Sequence, residues 1–184
     1  MMNLFRTLSL GGLLAVGTAG LSGCLTAPEI STTPEISLKE IRLIHVDNPG
    51  QVIDVDTLVV VVNFKDGDGD LGLTGQDLTV APYDDDAYKY NYFIQAYIKN
   101  ELTDVFEPYT PPAGGTYNGL FNFLPLVEDR DKKAAKKGEL GFKQDFTLEN
   151  EFKPGTEVRF VISIMDRALH RSNEITTPSV ILGN

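Results

Sequence analysis

Short apolar runs separated by turn-forming residues are the feature that most constrains what this chain can fold into. After residue 24, no segment of about twelve residues or more keeps a helical period. Residues 58–64 (LVVVVNF) form a continuous, largely β-branched run, which is typical of a strand covered on both sides. The cleanest alternation places four apolar side chains on one face: Val158, Phe160, Ile162 and Ile164.

Turn signals such as Asn48-Pro49-Gly50 and Pro154-Gly155 divide these runs into seven predicted strands. Seven strands without a βαβ alternation indicate an all-β fold, an antiparallel sandwich, with a jelly roll or a partial barrel as the alternatives. The chain has 184 residues and one cysteine, so its core must be held without an internal disulfide, as its length permits. The predicted strands cover residues 36–46, 58–64, 90–99, 117–126, 140–148, 158–166 and 175–182.

The segment Val158–Asn173 (VRFVISIMDRALHRSN) refines this prediction. It is similar to the penultimate strand and following turn of immunoglobulin-like or fibronectin type III-like modules, in which an alternating strand ends in Asp and a small loop leads to Ser-Asn. The resemblance lies in the last third of the chain. It implies an immunoglobulin-like β-sandwich of about seven strands, in which the second and sixth strands end at the same pole.

The amino-terminal segment has the three parts of a secretion signal. Arg6 supplies a positive charge, and Leu8–Leu21 is an apolar stretch containing four glycines. This stretch is shorter than the roughly 20 residues that a spanning helix needs. An ordinary secretory signal that happens to contain a cysteine is the plain alternative to a lipoprotein signal.

Leu21-Ser22-Gly23-Cys24 resembles the lipobox of bacterial lipoproteins at all four positions. The resemblance implies a diacylglycerol on the Cys24 sulfur, cleavage after Gly23 and acylation of the new amino terminus. Several acyl chains provide the stable attachment that one chain alone does not. Leu25 stands where an Asp would, by analogy, retain the protein in the inner membrane. We therefore expect a lipid-anchored protein of the cell envelope, at the outer membrane.

The chain divides into three predicted parts. Residues 1–23 are the signal peptide, residues 24–36 are the lipidated cysteine with a flexible tether rich in Pro, Thr and Ser, and residues 37–184 are the β-sandwich domain. The net charge is −10, and removal of the signal takes away a positive residue, Arg6. Such an acidic surface repels phosphate backbones, so nucleic acid is excluded as a partner and a cation is favoured.

The loop Asp66-Gly67-Asp68-Gly69-Asp70 is the strongest candidate for a binding site. Three carboxylates at alternate positions can surround one hard cation, and glycine permits the tight curl that this needs. The spacing resembles the first half of EF-hand loops and the Asp-rich repeats of thrombospondin-type and dockerin modules. Leu71 departs from the EF-hand pattern, and no helix flanks the loop. The interpretation is a calcium site, against a plain solvated turn.

The expected strand order adds a fourth ligand to this site. If the second and sixth strands end at one pole, Asp166 lies beside the loop that contains Asp66, Asp68 and Asp70. The predicted metal ligands are therefore Asp66, Asp68, Asp70 and Asp166. Weaker candidates in the same long connection are Asp77, Asp84, Asp85 and Asp86.

The remaining chemistry-bearing residues indicate a non-catalytic protein. The two histidines, His45 and His170, are interpreted as ordinary polar residues, and neither a nucleophile elbow nor a phosphate-binding glycine loop is present. The expected role is an interaction or structural module of the envelope with a protein or glycan partner. One alternative is a glycan-binding lipoprotein that stacks sugars on a row of Tyr88, Tyr90 and Tyr92; a hydrolase, which needs two carboxylates over a cleft, is less favoured.

Overall fold

Two antiparallel sheets pack face to face in the computed structural model, which describes residues 30–46, 54–111, 114–121, 134–149 and 151–183. Within these residues there are eight strands and one short 3-10 turn, Asp77–Thr79. The strands are β1 (Glu35–Val46), β2 (Val55–Asp66), β3 (Tyr92–Lys99), β4 (Phe106–Pro108), β5 (Lys136–Thr147), β6 (Glu157–Ile164), β7 (Ile175–Thr176) and β8 (Val180–Ile181).

The first sheet has the strand order β1-β2-β5, and the second has the order β4-β3-β6-β7, with β8 also paired to β6. In the first sheet, β2 is the central strand and pairs with β5 from Val55 opposite Thr147 to Asp66 opposite Lys136. In the second sheet, β3 pairs with β6 from Tyr92 opposite Ile164. These pairings confirm the predicted all-β, antiparallel sandwich.

Side chains from the inner faces of both sheets form one core. The alternating face predicted for the sixth strand is confirmed, because all four of its apolar side chains on β6 are fully buried. Phe146 of β5 lies at the centre, stacked on Phe160 across the sandwich with ring centroids 5.9 Å apart and in edge contact with Phe152 at 5.1 Å. The long apolar strand β2 buries Leu58, Val60 and Val62 completely.

Three strand predictions need correction. A short strand, β4, was not predicted; its Pro108 fits an edge position, where a missing N–H costs little. The last predicted strand is two short ones, β7 and β8, separated by a segment that contains Pro178. Residues 117–121 form no strand beyond an isolated bridge from Gly119 to Tyr92, and residues 122–126 lie outside the described part.

The predicted boundary between tether and domain also moves. Strand β1 begins at Glu35, and Ile36 is buried in the core, so both residues belong to the domain rather than to the tether. The Asn173 side chain holds this end of β1: the Ile36 N–H donates to Asn173 Oδ1 at 2.9 Å, and Asn173 Nδ2 donates to the Ile36 carbonyl at 3.0 Å. Among the described residues, no helix is long and apolar enough to cross a membrane.

Candidate metal centre

The ends of β2 and β6 meet at one pole of the sandwich. Asp66 is the last residue of β2, and Asp166 follows β6 by two residues. An isolated antiparallel bridge joins Leu71 to Asp166, and the Arg167 N–H donates to the Asp70 carbonyl at 3.3 Å. The backbone of the acidic loop is thus attached directly to the chain that follows β6.

This attachment brings three carboxylates together. Asp66, Asp70 and Asp166 each place one carboxylate oxygen so that all three oxygens lie within 4.8 Å of one another. Calcium binds oxygen at 2.3–2.6 Å, so two of its ligands can be at most about 5 Å apart. The spacing of the three oxygens therefore suits a single calcium ion between them.

Asp66 is the residue of this cluster whose two side-chain oxygens both lack a hydrogen-bond partner among the described residues. Its side chain is fully buried, and neither of its carboxylate oxygens accepts a hydrogen bond from the described residues. Burying an ionised carboxylate without hydrogen-bond donors costs free energy, because its contacts with water are lost and no protein contacts replace them. A cation between the three carboxylates would supply the missing interaction.

The electrostatics of the cluster lead to the same conclusion. Burial, followed by repulsion from Asp68, Asp70 and Asp166, raises the pKa of Asp66 from 3.8 to about 7. The nearby backbone N–H of Asp70 lowers the pKa of Asp66, although it does not reach hydrogen-bond geometry with either Asp66 oxygen. Near neutral pH the metal-free cluster therefore holds a proton on Asp66 for much of the time, and a divalent cation would replace that proton.

Asp166 is oriented by its neighbours. Its Oδ1 accepts from the His170 N–H at 2.7 Å, and its Oδ2 lies 3.0 Å from His170 Nδ1. Carboxylates that bind metals are commonly held by such outer hydrogen bonds, which fix the direction of the ligand oxygen. The sequence pattern indicates only an ordinary polar residue at His170, and its contact with Asp166, four residues earlier, is seen in the structure alone.

The glycines of the loop are required by close backbone approach as well as by conformation. Gly69 has a positive φ of 69°. Gly67 does not, but its N–H donates to the Ser31 carbonyl at 2.8 Å, and a Cβ at Gly67 would lie 2.2 Å from the Ile30 carbonyl oxygen. The segment that leads into β1 therefore packs against the acidic loop.

Of the other predicted ligands, Asp68 lies near the cluster, whereas Asp77 and the run at 84–86 have other surroundings. Asp68 is 8% exposed and is near enough to raise the pKa of Asp66, but it is not one of the three residues whose oxygens converge. Asp77 instead forms an ion pair with Arg167 at 2.8 Å. The run at 84–86 is exposed, and Asp86 pairs with Lys89 at 2.7 Å.

The remaining site predictions fare differently. Cys24, the predicted lipidation site, lies outside the described residues. The predicted row of stacking tyrosines is not formed: β3 begins only at Tyr92, which is 3% exposed and stacks on Phe142 with centroids 4.9 Å apart. His45 lies 2.6 Å from Asp56, at the opposite end of β2 from the acidic cluster.

Comparisons of this chain with protein-family models, with curated proteins and with solved structures found no match. The functional argument therefore rests on the residues themselves.

Proposed function

We propose that this protein is a lipid-anchored, non-catalytic module of the cell envelope whose β-sandwich binds calcium at one pole. The observation that carries the metal site is Asp66: a fully buried carboxylate, with neither oxygen hydrogen-bonded among the described residues, beside those of Asp70 and Asp166. The strand order, with β1, β2 and β5 facing β3, β6 and β7, supports the resemblance to immunoglobulin-like modules.

Calcium is favoured over other ions by the chemistry of the ligands. The converging atoms are all carboxylate oxygens, which are hard ligands, and no cysteine sulfur or histidine nitrogen is among them. Sites of extracellular modules bind calcium with dissociation constants of about 10⁻⁴–10⁻³ M, a range that is useful outside the cytoplasm. A net charge of −10 also raises the local concentration of cations.

A structural role for the ion is favoured over a catalytic one. The Asp66 carboxylate is fully buried, so a small ion can reach it through local opening of the loop but an organic substrate cannot contact its oxygens. The ion would join the loop after β2 to the chain after β6, and so connect the two sheets at that pole. We infer that calcium stabilises the pole and the surface around it, which an envelope protein partner would recognise.

Calorimetric titration of the chelator-treated protein with calcium tests this proposal. We expect one bound ion, and at 100 times the dissociation constant a gain of about 2.7 kcal/mol in the free energy of unfolding. The Asp66→Asn variant should lose both effects. Asp56→Asn is the matched control, because Asp56 is also buried on β2 but contacts His45 instead of the cluster. Absence of binding at about 10 mM calcium, with an unchanged melting temperature, would contradict the metal site.

The lipid anchor is tested separately. Full-length protein expressed in a bacterium with labelled palmitate should incorporate the label, and the Cys24→Ser variant should not. Label retained in the Cys24→Ser variant, or absent from the parent protein, would refute the anchor without bearing on the calcium site.

A further inference from the structure

A cavity of about 510 Å³ lies on the outer face of the second sheet, and the clustered aspartates do not line it. Its floor is formed by the outward side chains of β3 and β6, among them Phe93, Gln95 and Ser163. One wall comes from the chain after β4, where the Tyr109 N–H donates to the Ala96 carbonyl of β3 at 2.9 Å. The volume falls within the roughly 300–1,000 Å³ of small-molecule sites.

Arg171 is held in a fixed position at this cavity. Its Nε donates to Ser163 Oγ at 2.9 Å, and its guanidinium carbon lies 4.1 Å from the centre of the Phe93 ring. Among the described residues it forms no ion pair and no other hydrogen bond. The guanidinium group therefore presents its terminal N–H donors in a fixed plane, ready for a ligand.

Acceptor groups line the same cavity. Glu174 makes no hydrogen bond or ion pair with the described residues. The Gln95 Nε2 donates to the Ala96 and Tyr109 carbonyls at 2.8 and 2.7 Å, which leaves its Oε1 as an acceptor. The cavity thus combines a fixed donor, two acceptors and the aromatic rings of Phe93 and Tyr97.

We propose that this cavity binds a neutral saccharide. Sugar hydroxyls both donate and accept hydrogen bonds, as Arg171 and Glu174 together require, and the C–H face of a sugar ring packs on an aromatic side chain such as Tyr97. An anionic ligand would be repelled by Glu174 and by the net charge of −10. A purely apolar ligand would leave the charged groups of the cavity buried without partners.

Titration of detergent-purified full-length protein with glucose, galactose, N-acetylglucosamine and their linear trimers, followed by calorimetry, tests this site. At least one neutral saccharide should bind, and Arg171→Ala should weaken that binding by about tenfold or more, because it removes hydrogen bonds from a charged donor. Tyr97→Ala should also weaken it. A thermal unfolding measurement on each variant checks that the fold is retained.

Arg159→Ala is the matched control. Arg159 also stacks on an aromatic ring, with its guanidinium carbon 4.1 Å from the centre of Phe106, but it does not line the cavity. Because Arg159 lies opposite Tyr97 on the neighbouring strand, its removal should change the affinity by less than about twofold, against the tenfold loss expected for Arg171→Ala. The proposal is overturned if no neutral saccharide binds at about 10 mM, if Arg159→Ala and Arg171→Ala have equal effects, or if glucuronic acid binds and the neutral sugars do not.

Discussion

Strand β2 carries a buried aspartate near each end, and the two have opposite surroundings. Asp56 is 1% exposed, with one oxygen 2.6 Å from His45 Nδ1 and the other accepting from the Gly183 N–H at 2.6 Å. Asp66 is fully buried, has no hydrogen-bond donor on either oxygen among the described residues, and faces three other carboxylates. Both residues point to the same side of one strand.

The difference shows that burial alone does not identify a binding site. Asp56 is a structural carboxylate, since each of its oxygens has a hydrogen-bond partner within the protein. Asp66 lacks the hydrogen-bond partners that Asp56 has, and only a bound proton or a bound cation can compensate its negative charge. The two positions therefore form an internal control for each other, and the same substitution should have opposite consequences at the two ends of β2.

The largest expected effect is at Asp56. Asp56→Asn replaces one acceptor oxygen by an amide NH₂. If the NH₂ faces Gly183, the backbone N–H loses its acceptor; if it faces His45, the Nδ1 must accept instead of donate, and in both orientations the hydrogen bonds to a charged carboxylate are lost. We expect the free energy of unfolding to fall by about 3 kcal/mol. Urea denaturation in the presence of chelator measures it.

Asp145→Asn provides the comparison for that measurement. Asp145 is exposed and accepts a hydrogen bond from Thr57 Oγ1 at 2.7 Å, which an asparagine oxygen can also accept. Its stability should change by no more than about 0.5 kcal/mol. If Asp56→Asn were equally mild, the contrast between the two ends of β2 would lose its basis.

A smaller change in the free energy of unfolding is expected when the pH is varied, and it comes from Asp66 at the other end of the strand. The pKa of Asp66 is raised to about 7, so between pH 4 and 7 the folded protein binds a proton at this residue that the unfolded chain has released. The metal-free protein should therefore become less stable as pH rises through this window, by about 2–3 kcal/mol between pH 5 and pH 8. Above pH 8 this contribution should be constant.

Asp66→Asn is the variant that isolates this contribution. It removes the titrating carboxylate and leaves every other ionisable residue of the chain in place. In chelator at pH 8 it should be at least as stable as the parent protein, because it takes one charge out of the cluster. An equally steep pH dependence in Asp66→Asn would show that Asp66 is not the group that titrates.

The sequence was most informative where one face of a strand is buried. The alternation from Val158 to Ile164 predicted the inner face of β6, because a period of two survives only when every second side chain enters the core. The position of Asp166 followed from the expected strand order, and the structure places it beside Asp66 and Asp70. Whether these carboxylates bind calcium stays a prediction.

The errors arose where side chains satisfy the backbone. Residues 117–121 carry apolar side chains typical of a strand, yet their backbone is held by an asparagine side chain. Asn91 Nδ2 donates to the Phe121 carbonyl and Asn91 Oδ1 accepts from the Phe121 N–H, at 2.8 Å each. The Asn118 side chain likewise accepts from the Ile94 N–H at 3.1 Å. An asparagine that replaces a ladder hydrogen bond leaves no periodic signal, so the sequence pattern could not distinguish this segment from a strand.

The two hydrogen bonds between Asn173 and Ile36 have a mechanical consequence. Asn173 follows β6 of the second sheet, whereas Ile36 is the second residue of β1 in the first sheet. The N–H and the carbonyl of Ile36 are both held by Asn173, as an adjacent strand would hold them. Tension applied to the chain ahead of β1 is therefore shared between both sheets at Ile36. A pull from that side loads the whole sandwich before it can peel β1 away from β2.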